Sequence, residues 1–408
     1  MTVRFARRLE VMKASEIREL LKITQRPEVI SFAGGLPAPE LFPVQDLKDV
    51  AADVLLREGT RALQYSTTEG HPGLREQIAR RMNRDLGTDY AASQVLVTSG
   101  SQQGLDLTGK LFLDEGDEVL CESPTYIGAI NAFRAYQPRF VDVPTDDDGM
   151  IPEELERCIA AARRPKYIYA IPTFQNPTGR TWTVERRRAV LDAAARHGLV
   201  VVEDDPYGQL CFEGTTPPSL ASLAGDVPVV YLGTFSKVFC PGMRIGWLAA
   251  PPAIYEKYVL GKQGLDLNTS TLGQYQLLAY LERFDLDAGI ARIRDVYRRR
   301  RDAMLRTIEA EFPPGVSWTK PRGGLFLWVT LPADVSARDV LVAALERDVA
   351  FVPGGSFFPN GGHENTMRLN YSNMPEDRIV EGIRRLGEVL RGLCGGGTKA
   401  GAAQARTR

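Results

Sequence analysis

V-V-Y-L-G-T-F-S-K-V-F-C-P-G-M-R-I-G occupies residues 229–246. Its first six residues read as a buried strand ending at Thr234. Beyond the strand, Lys237 has hydroxyls three residues before it (Thr234) and one before it (Ser236), and an arginine, Arg244, seven residues after it. The Pro241-Gly242 pair is a turn signal that brings Arg244 back toward the strand end. An amine that forms an imine with a phosphate-bearing aldehyde needs this company, with hydroxyls and a guanidinium for the phosphate. Alone, the lysine reads equally well as a solvated residue after a strand. Its partners elsewhere in the chain decide between the two.

Working outward, Q-V-L-V-T-S-G, E-V-L-C-E, K-Y-I-Y-A-I-P and G-L-V-V-V-E-D are further short apolar strands, separated by helix-length segments. This alternation predicts an α/β fold whose large domain has a mostly parallel sheet covered by helices. Past Leu277 the pattern changes. An arginine-rich amphipathic helix runs through Ile293 and Met304, and V-S-W-T-K-P-R-G-G-L-F-L-W-V-T-L reads as a hairpin turning at Pro321 to Gly324. A helix near 337–347, the strand M-R-L-N-Y-S and a last helix from Glu376 complete a smaller α+β C-terminal domain. The expected division is an N-terminal arm over 1–43 packing with the small domain, a large domain over 44–285, a small domain over 286–392 and a disordered tail over 393–408. Helical periodicity also marks residues 16–23.

Composition narrows the function classes. The 408 residues are 44% hydrophobic, with 50 basic and 51 acidic side chains and a net charge of -1. That balance gives no reason to expect nucleic acid or an anionic membrane as partner. Five scattered cysteines without a C-x-x-C suit a reducing, cytoplasmic setting, and three histidines far apart in sequence offer no metal site. No stretch approaches the apolar length of a membrane span, and the N-terminus has basic residues without the apolar core of a secretory signal.

The remaining candidates sit after strands. Asp204 ends G-L-V-V-V-E-D, at the edge where open α/β sheets bind ligands. There a carboxylate facing a pyridine nitrogen holds it protonated. The competing reading of Asp204 is a helix N-cap in E-D-D-P-Y. Tyr207, three residues on, and Asn176 in F-Q-N-P-T-G are placed to donate to a phenolic oxygen on the same ring. Gly100, Ser101 and Gln102 follow V-L-V-T and open a helix whose first amides suit a phosphate. Tyr126 in S-P-T-Y-I-G-A is placed to stack on a planar ring or to serve as an ordinary interior tyrosine. Arg368, alone between apolar residues in N-T-M-R-L-N-Y-S, needs an anion, either a substrate carboxylate or a structural ion-pair partner.

The chain resembles the fold-type I, class I/II aminotransferases dependent on pyridoxal 5'-phosphate (PLP), because five separated segments fall along it in that family's order. A-S-E-I-R-E-L-L-K-I-T-Q-R-P and I-S-F-A-G-G-L-P-A-P-E-L-F-P are similar to the 2-aminoadipate and kynurenine/2-aminoadipate branch. The resemblance covers residues 11–390. It implies that Lys237 binds the cofactor aldehyde and shuttles the proton. It further implies that Asp204 pairs with the pyridine nitrogen, that Asn176 and Tyr207 meet the phenolic oxygen, and that Tyr126 stacks. Gly100, Ser101, Gln102, Thr234, Ser236 and Arg244 would hold the phosphate, joined by Tyr65 from a neighbouring subunit, so a homodimer with shared active sites is expected. Thr234 stands where the family usually has serine, which keeps the hydroxyl. Gly35, Asn176 and Arg368 would receive the substrate's α-carboxylate end.

The implied reaction is ping-pong transfer of an amino group between an L-amino acid and a 2-oxo acid such as 2-oxoglutarate. In the aminoadipate branch the arginine matching Arg18, with a serine matching Ser15, selects an acidic side chain; a solvated helix face is the competing reading of Arg18. Aromatic and branched donors stay open. So do other reactions on the same scaffold, namely a β-lyase, a decarboxylase, or a biosynthetic cyclase or oxidase. A PLP-dependent transcription regulator is a remoter reading, with only about thirty residues ahead of F-A-G-G.

Overall fold

The computed structural model describes residues 3–11, 26 and 28–394. Ser15, Arg18, the helix expected over 16–23 and the tail beyond 394 lie outside the described residues. Numbered along the chain after a short first strand, β1 (Ile30–Ser31), eight strands form the large sheet. They are β2 (Val95–Thr98), β3 (Glu118–Ser123), β4 (Arg139–Asp146), β5 (Gly149–Met150), β6 (Pro165–Ala170), β7 (Val200–Asp204), β8 (Val229–Thr234) and β9 (Gly246–Ala249). Their spatial order is β2-β9-β8-β7-β6-β3-β4-β5. The neighbours from β8 through β7, β6 and β3 to β4 are parallel. The sheet is nonetheless mixed, because β9 runs antiparallel to both β2 and β8, and β5 antiparallel to β4.

The five central apolar segments of the sequence became β2, β3, β6, β7 and β8. Their near-continuous burial matches strands covered on both faces. β9, G-W-L-A, carries little strand signal of its own and is held by its neighbours. It has a large consequence for the site. Gly246 lies opposite Thr98 on one side and Thr234 on the other. The ends of β2 and β8 are thereby brought to the start of β9, just after Arg244. Only glycine allows this approach, since a Cβ on residue 246 would lie 2.6 Å from the Ser101 backbone nitrogen.

The smaller sheet is built from β10 (Ser317–Trp318), β11 (Phe326–Thr330), β13 (Val352–Pro353) and β14 (Thr366–Asn370), in the order β10-β11-β14-β13 and all antiparallel. β10 and β11 form the hairpin, with Ser317 opposite Thr330. Its connection is wider than a tight turn and is pinned to the large domain. Gly324 N–H donates to Leu210 C=O at 3.0 Å and Phe212 N–H to Arg322 C=O at 2.9 Å. β1 pairs in parallel with β12 (Val349–Ala350), so the chain ahead of the large sheet lies against the small domain.

The arginine-rich helix spans Leu286–Glu311, with the Asp285 carboxylate capping Ala288 N–H at 3.1 Å. Ile290, Ile293 and Tyr297 join the core of the large domain, whereas Met304 and Ile308 join the core under the small sheet. One continuous helix therefore belongs to both cores. The last helix, Glu376–Cys394, buries Ile379, Ile383, Leu386 and Leu390 against its second half, at the spacing of one helical face.

Candidate active site

Lys237, Asp204, Tyr126, Asn176, Tyr207, Ser101, Gln102, Thr234, Ser236, Arg244, Arg368 and Gly35 all line one cavity, together with Phe326. The fold explains this convergence. β2, β3, β6, β7 and β8 all end at the same edge, and each sends the segment after it into the crevice there. Arg368 arrives from β14 and Gly35 from the segment after β1, so the cavity is closed by the small domain.

Lys237 is half-buried and opens to the cleft, and its Nζ donates to Gly35 C=O at 2.9 Å. Burial pushes its pKa down to about 8, with Arg368 and Arg244 adding repulsion and Asp204 opposing them. An amine so tuned is neutral in a useful fraction just above physiological pH. An aldehyde is captured by the neutral amine, so the rate at which the cofactor-free protein captures PLP should rise from pH 7 and level off above about 8. Stopped-flow absorbance checks this; a flat profile over pH 7–9 would contradict it.

Asp204 is buried, and its pKa is pushed up to about 7, chiefly by burial and against the pull of Tyr169 and Lys237. One carboxylate oxygen, Oδ2, accepts from Tyr169 O–H at 2.8 Å, while the other, Oδ1, is buried with no partner among the described residues. No helix follows Asp204, so the N-cap reading does not hold. An orphaned carboxylate oxygen on a cavity wall fits a cationic N–H donor such as a protonated pyridine.

The opposite end of the cavity is equally specific. Gly100 has φ +79°, and a Cβ there would lie 2.5 Å from Arg244 Nη2. Arg244 itself holds the left-handed backbone, φ +53°, at the close of the turn that begins at Pro241. Ser236 N–H donates to Thr234 Oγ1 at 3.1 Å, and the two hydroxyls lie 2.9 Å apart. Gly100 also precedes the helix Ser101–Phe112, whose first amides have no carbonyl to bond within the helix. Hydroxyls, a guanidinium and a helix start thus surround one end of the cavity, opposite in charge to the carboxylate end. The residues present fit PLP.

Asn176 and Tyr207 are buried side by side, with Nδ2 donating to the phenolic oxygen at 3.3 Å. Asn176 Oδ1 accepts from Arg368 Nη1 at 2.8 Å. Arg368 Nη2 donates to Ala33 C=O at 2.6 Å, and Nε is buried without a partner. Its guanidinium carbon stands 4.1 Å from the centre of the Phe326 ring and 5.0 Å from that of Phe357. No carboxylate among the described residues pairs with it, so the structural ion-pair reading fails. Burial lowers its pKa only to about 10, which leaves it cationic at neutral pH.

Tyr65 is the described candidate that a single chain does not bring to the cavity. It is 80% exposed on the surface, beyond the helix Val44–Ala62. Reading the sequence missed Tyr169 and Phe326. The alternation in K-Y-I-Y-A places Tyr169 on the same face as Tyr167, but nothing in it says that β6 lies beside β7. Phe326 reaches Arg368 because β11 pairs with β14, again a matter of strand order. Among the described residues no cluster of His, Cys, Asp and Glu could hold a metal, and no helix is long and apolar enough to cross a membrane.

A PLP-type cavity at the strand ends of a mixed α/β sheet, closed by a small antiparallel domain, defines an aminotransferase-like enzyme. The chain belongs to the class I and II aminotransferases, whose family model matches residues 27–386, and it is a PLP-dependent aminotransferase. It is 48% identical to the 2-aminoadipate transaminase of Thermus thermophilus over 94% of this chain and 95% of that one. It is 44% identical to the aromatic-amino-acid aminotransferase 1 of Thermococcus litoralis, over 93% and 92%. Among solved structures, the α-aminoadipate aminotransferase of Thermus thermophilus, complexed with N-(5'-phosphopyridoxyl)-L-leucine, superposes with a TM-score of 0.90 at 45% identity, covering 96% of this chain and 98% of that one.

Proposed function

We propose that this enzyme exchanges amino groups between acidic L-amino acids of the 2-aminoadipate and glutamate kind and 2-oxo acids such as 2-oxoglutarate, and that it also accepts aromatic or branched donors. The observation that carries the site assignment is the cavity shared by three groups, the tuned amine of Lys237, the orphaned Asp204 Oδ1 and the unpaired Arg368. The names of the relatives, which span 2-aminoadipate and aromatic amino acids, support the breadth.

When bound, PLP supplies an electrophilic aldehyde and a ring that accepts the electron pair left by the substrate's α-proton. Arg368 takes the α-carboxylate through its fork and orients the Cα–H bond toward Lys237. Lys237 Nζ, in its neutral form, would remove that proton and return it from the same face of the cleft. Asp204 Oδ1 would keep the ring nitrogen protonated. Asn176 and Tyr207 would donate to the phenolic oxygen, Tyr126 would cover the ring, and Gly100, Ser101, Gln102, Thr234, Ser236 and Arg244 would hold the phosphate. The 2-oxo product leaves before the second 2-oxo acid enters, which is a ping-pong cycle.

We place Tyr65 in a second copy's phosphate site. Its exposure, with Leu56 83% and Leu63 69% exposed nearby in sequence, supports a homodimer in which these apolar side chains are covered. We place the enzyme in the cytoplasm, which the free state of all five cysteines supports. Arg18, with Ser15, would receive the distal carboxylate of the donor. A panel of amino donors against 2-oxoglutarate tests substrate choice directly. Arg18→Ala should raise KM for 2-aminoadipate by about tenfold or more, the scale of a lost charge-assisted hydrogen bond, and leave leucine and aromatic donors nearly unchanged. Equal losses on all donors would remove Arg18 from the specificity pocket.

A further inference from the structure

Behind the phosphate end of the cavity lies a buried charge that the reaction does not use. Lys262, in the last turn of the helix Pro252–Gln263, has no solvent exposure. Its Nζ donates to Asp266 Oδ1 at 2.6 Å and to Gln103 Oε1 at 2.9 Å. Both acceptors lead to one residue. Ser99 Oγ donates to Asp266 Oδ2 at 2.9 Å, and Ser99 N–H donates to the same Gln103 Oε1 at 2.8 Å. Lys262, Asp266, Ser99 and Gln103 therefore form a closed ring. It grips the residue before Gly100 by both backbone and side chain, and it reaches Gln103, just after Gln102.

The ordinary reading is an ion pair between residues four apart at a helix end. Such pairs belong at the surface, where they contribute little. Withdrawing an ammonium fully from water is costly unless its hydrogen bonds are spent on something that needs fixing. Here they are spent on the turn whose positive-φ glycine and helix start form the phosphate cradle. Thr269, from the loop after Asp266, adds to the same grip, donating to Val97 C=O at 3.3 Å and lying 3.4 Å from Ser99 Oγ.

We infer that Lys262 and Asp266 are positioning residues for cofactor phosphate, holding the Ser99–Gln103 turn in its binding conformation without touching the ligand. This rests on the reading of that turn as the phosphate site. The ring adds rigidity where a phosphate must find its donors already aimed, so its effect is confined to ligands that carry one.

The test compares PLP with pyridoxal, which lacks the phosphate, by binding to cofactor-free protein followed by absorbance. In Lys262→Met the dissociation constant for PLP should rise about tenfold or more, the scale of a lost hydrogen bond to a charged group, while that for pyridoxal stays within about twofold. Ser99→Ala keeps the Lys262 contacts and cuts one link of the ring. It should show the same selective loss, and it serves if Lys262→Met does not fold. Equal weakening of both ligands, or no weakening of either, overturns the inference, because a merely structural role does not distinguish them. If the unsubstituted protein binds PLP no more tightly than pyridoxal, the phosphate reading of the turn itself fails and the inference falls with it.

Discussion

Lys237→Ala is expected to lower the rate of transamination by about 10³-fold or more, at the upper end of what a positioned general base contributes, with the protein still folded. Lys237 is the amine that lines the cavity, and its pKa, lowered to about 8, suits proton transfer near neutrality. The other titratable groups of the cavity are less suited: Asp204 is the carboxylate assigned to the ring nitrogen. Tyr126 and Tyr207 also line the cavity, but burial raises both phenols and makes them poorer bases near neutral pH. Arg368 and Arg244 are cations. Single-turnover measurement of 2-oxo acid formation from a bound amino donor isolates the proton step from cofactor capture. Turnover within tenfold of the unsubstituted enzyme would remove Lys237 from the mechanism.

The second large effect concerns the opposite end of the cavity. Asp204→Asn should lower kcat by about 10²- to 10³-fold, in the range found for loss of a group that stabilises charge in the reaction. The amide keeps the size of the carboxylate and still accepts from Tyr169 O–H, so the fold around β7 is preserved. It presents N–H rather than O⁻ where Oδ1 now stands without a partner. A ring nitrogen facing that amide loses the partner that keeps it protonated, and the ring becomes a weaker electron sink. The absorbance of bound cofactor reports the change independently of turnover. An Asp204→Asn enzyme with unchanged kcat and unchanged cofactor spectrum would sink the assignment.

Much of the site was legible because its residues sit at strand ends, and strand ends can be read from local pattern. Lys237, Asp204, Asn176, Tyr126 and Ser101 each follow a short apolar run, and all five runs became strands of one sheet. Tyr169 was not legible, since its contact with Asp204 depends on β6 lying beside β7. Phe326 was not legible either, since it reaches Arg368 only through the pairing of β11 with β14. The Lys262 ring joins residues more than 150 positions apart in sequence to the cradle, and no local pattern announces it. The bridging role of the helix Leu286–Glu311 was hidden for a related reason. Its amphipathic face is continuous, and only the packing shows that two cores share it.

The alternation of buried strands and helices, the chemistry available after each strand, and the family those residues resemble are all legible in the sequence. These follow from hydrophobic periodicity and residue type, which are local properties. The tertiary structure alone decided that β9 inserts antiparallel between β2 and β8 and sets Arg244 beside Gly100. It alone decided that Asp204 keeps one oxygen free while Tyr169 takes the other, and that Arg368 meets no carboxylate. Strand order, burial and unmet hydrogen bonds depend on contacts between distant segments, and chain-local preferences do not encode them.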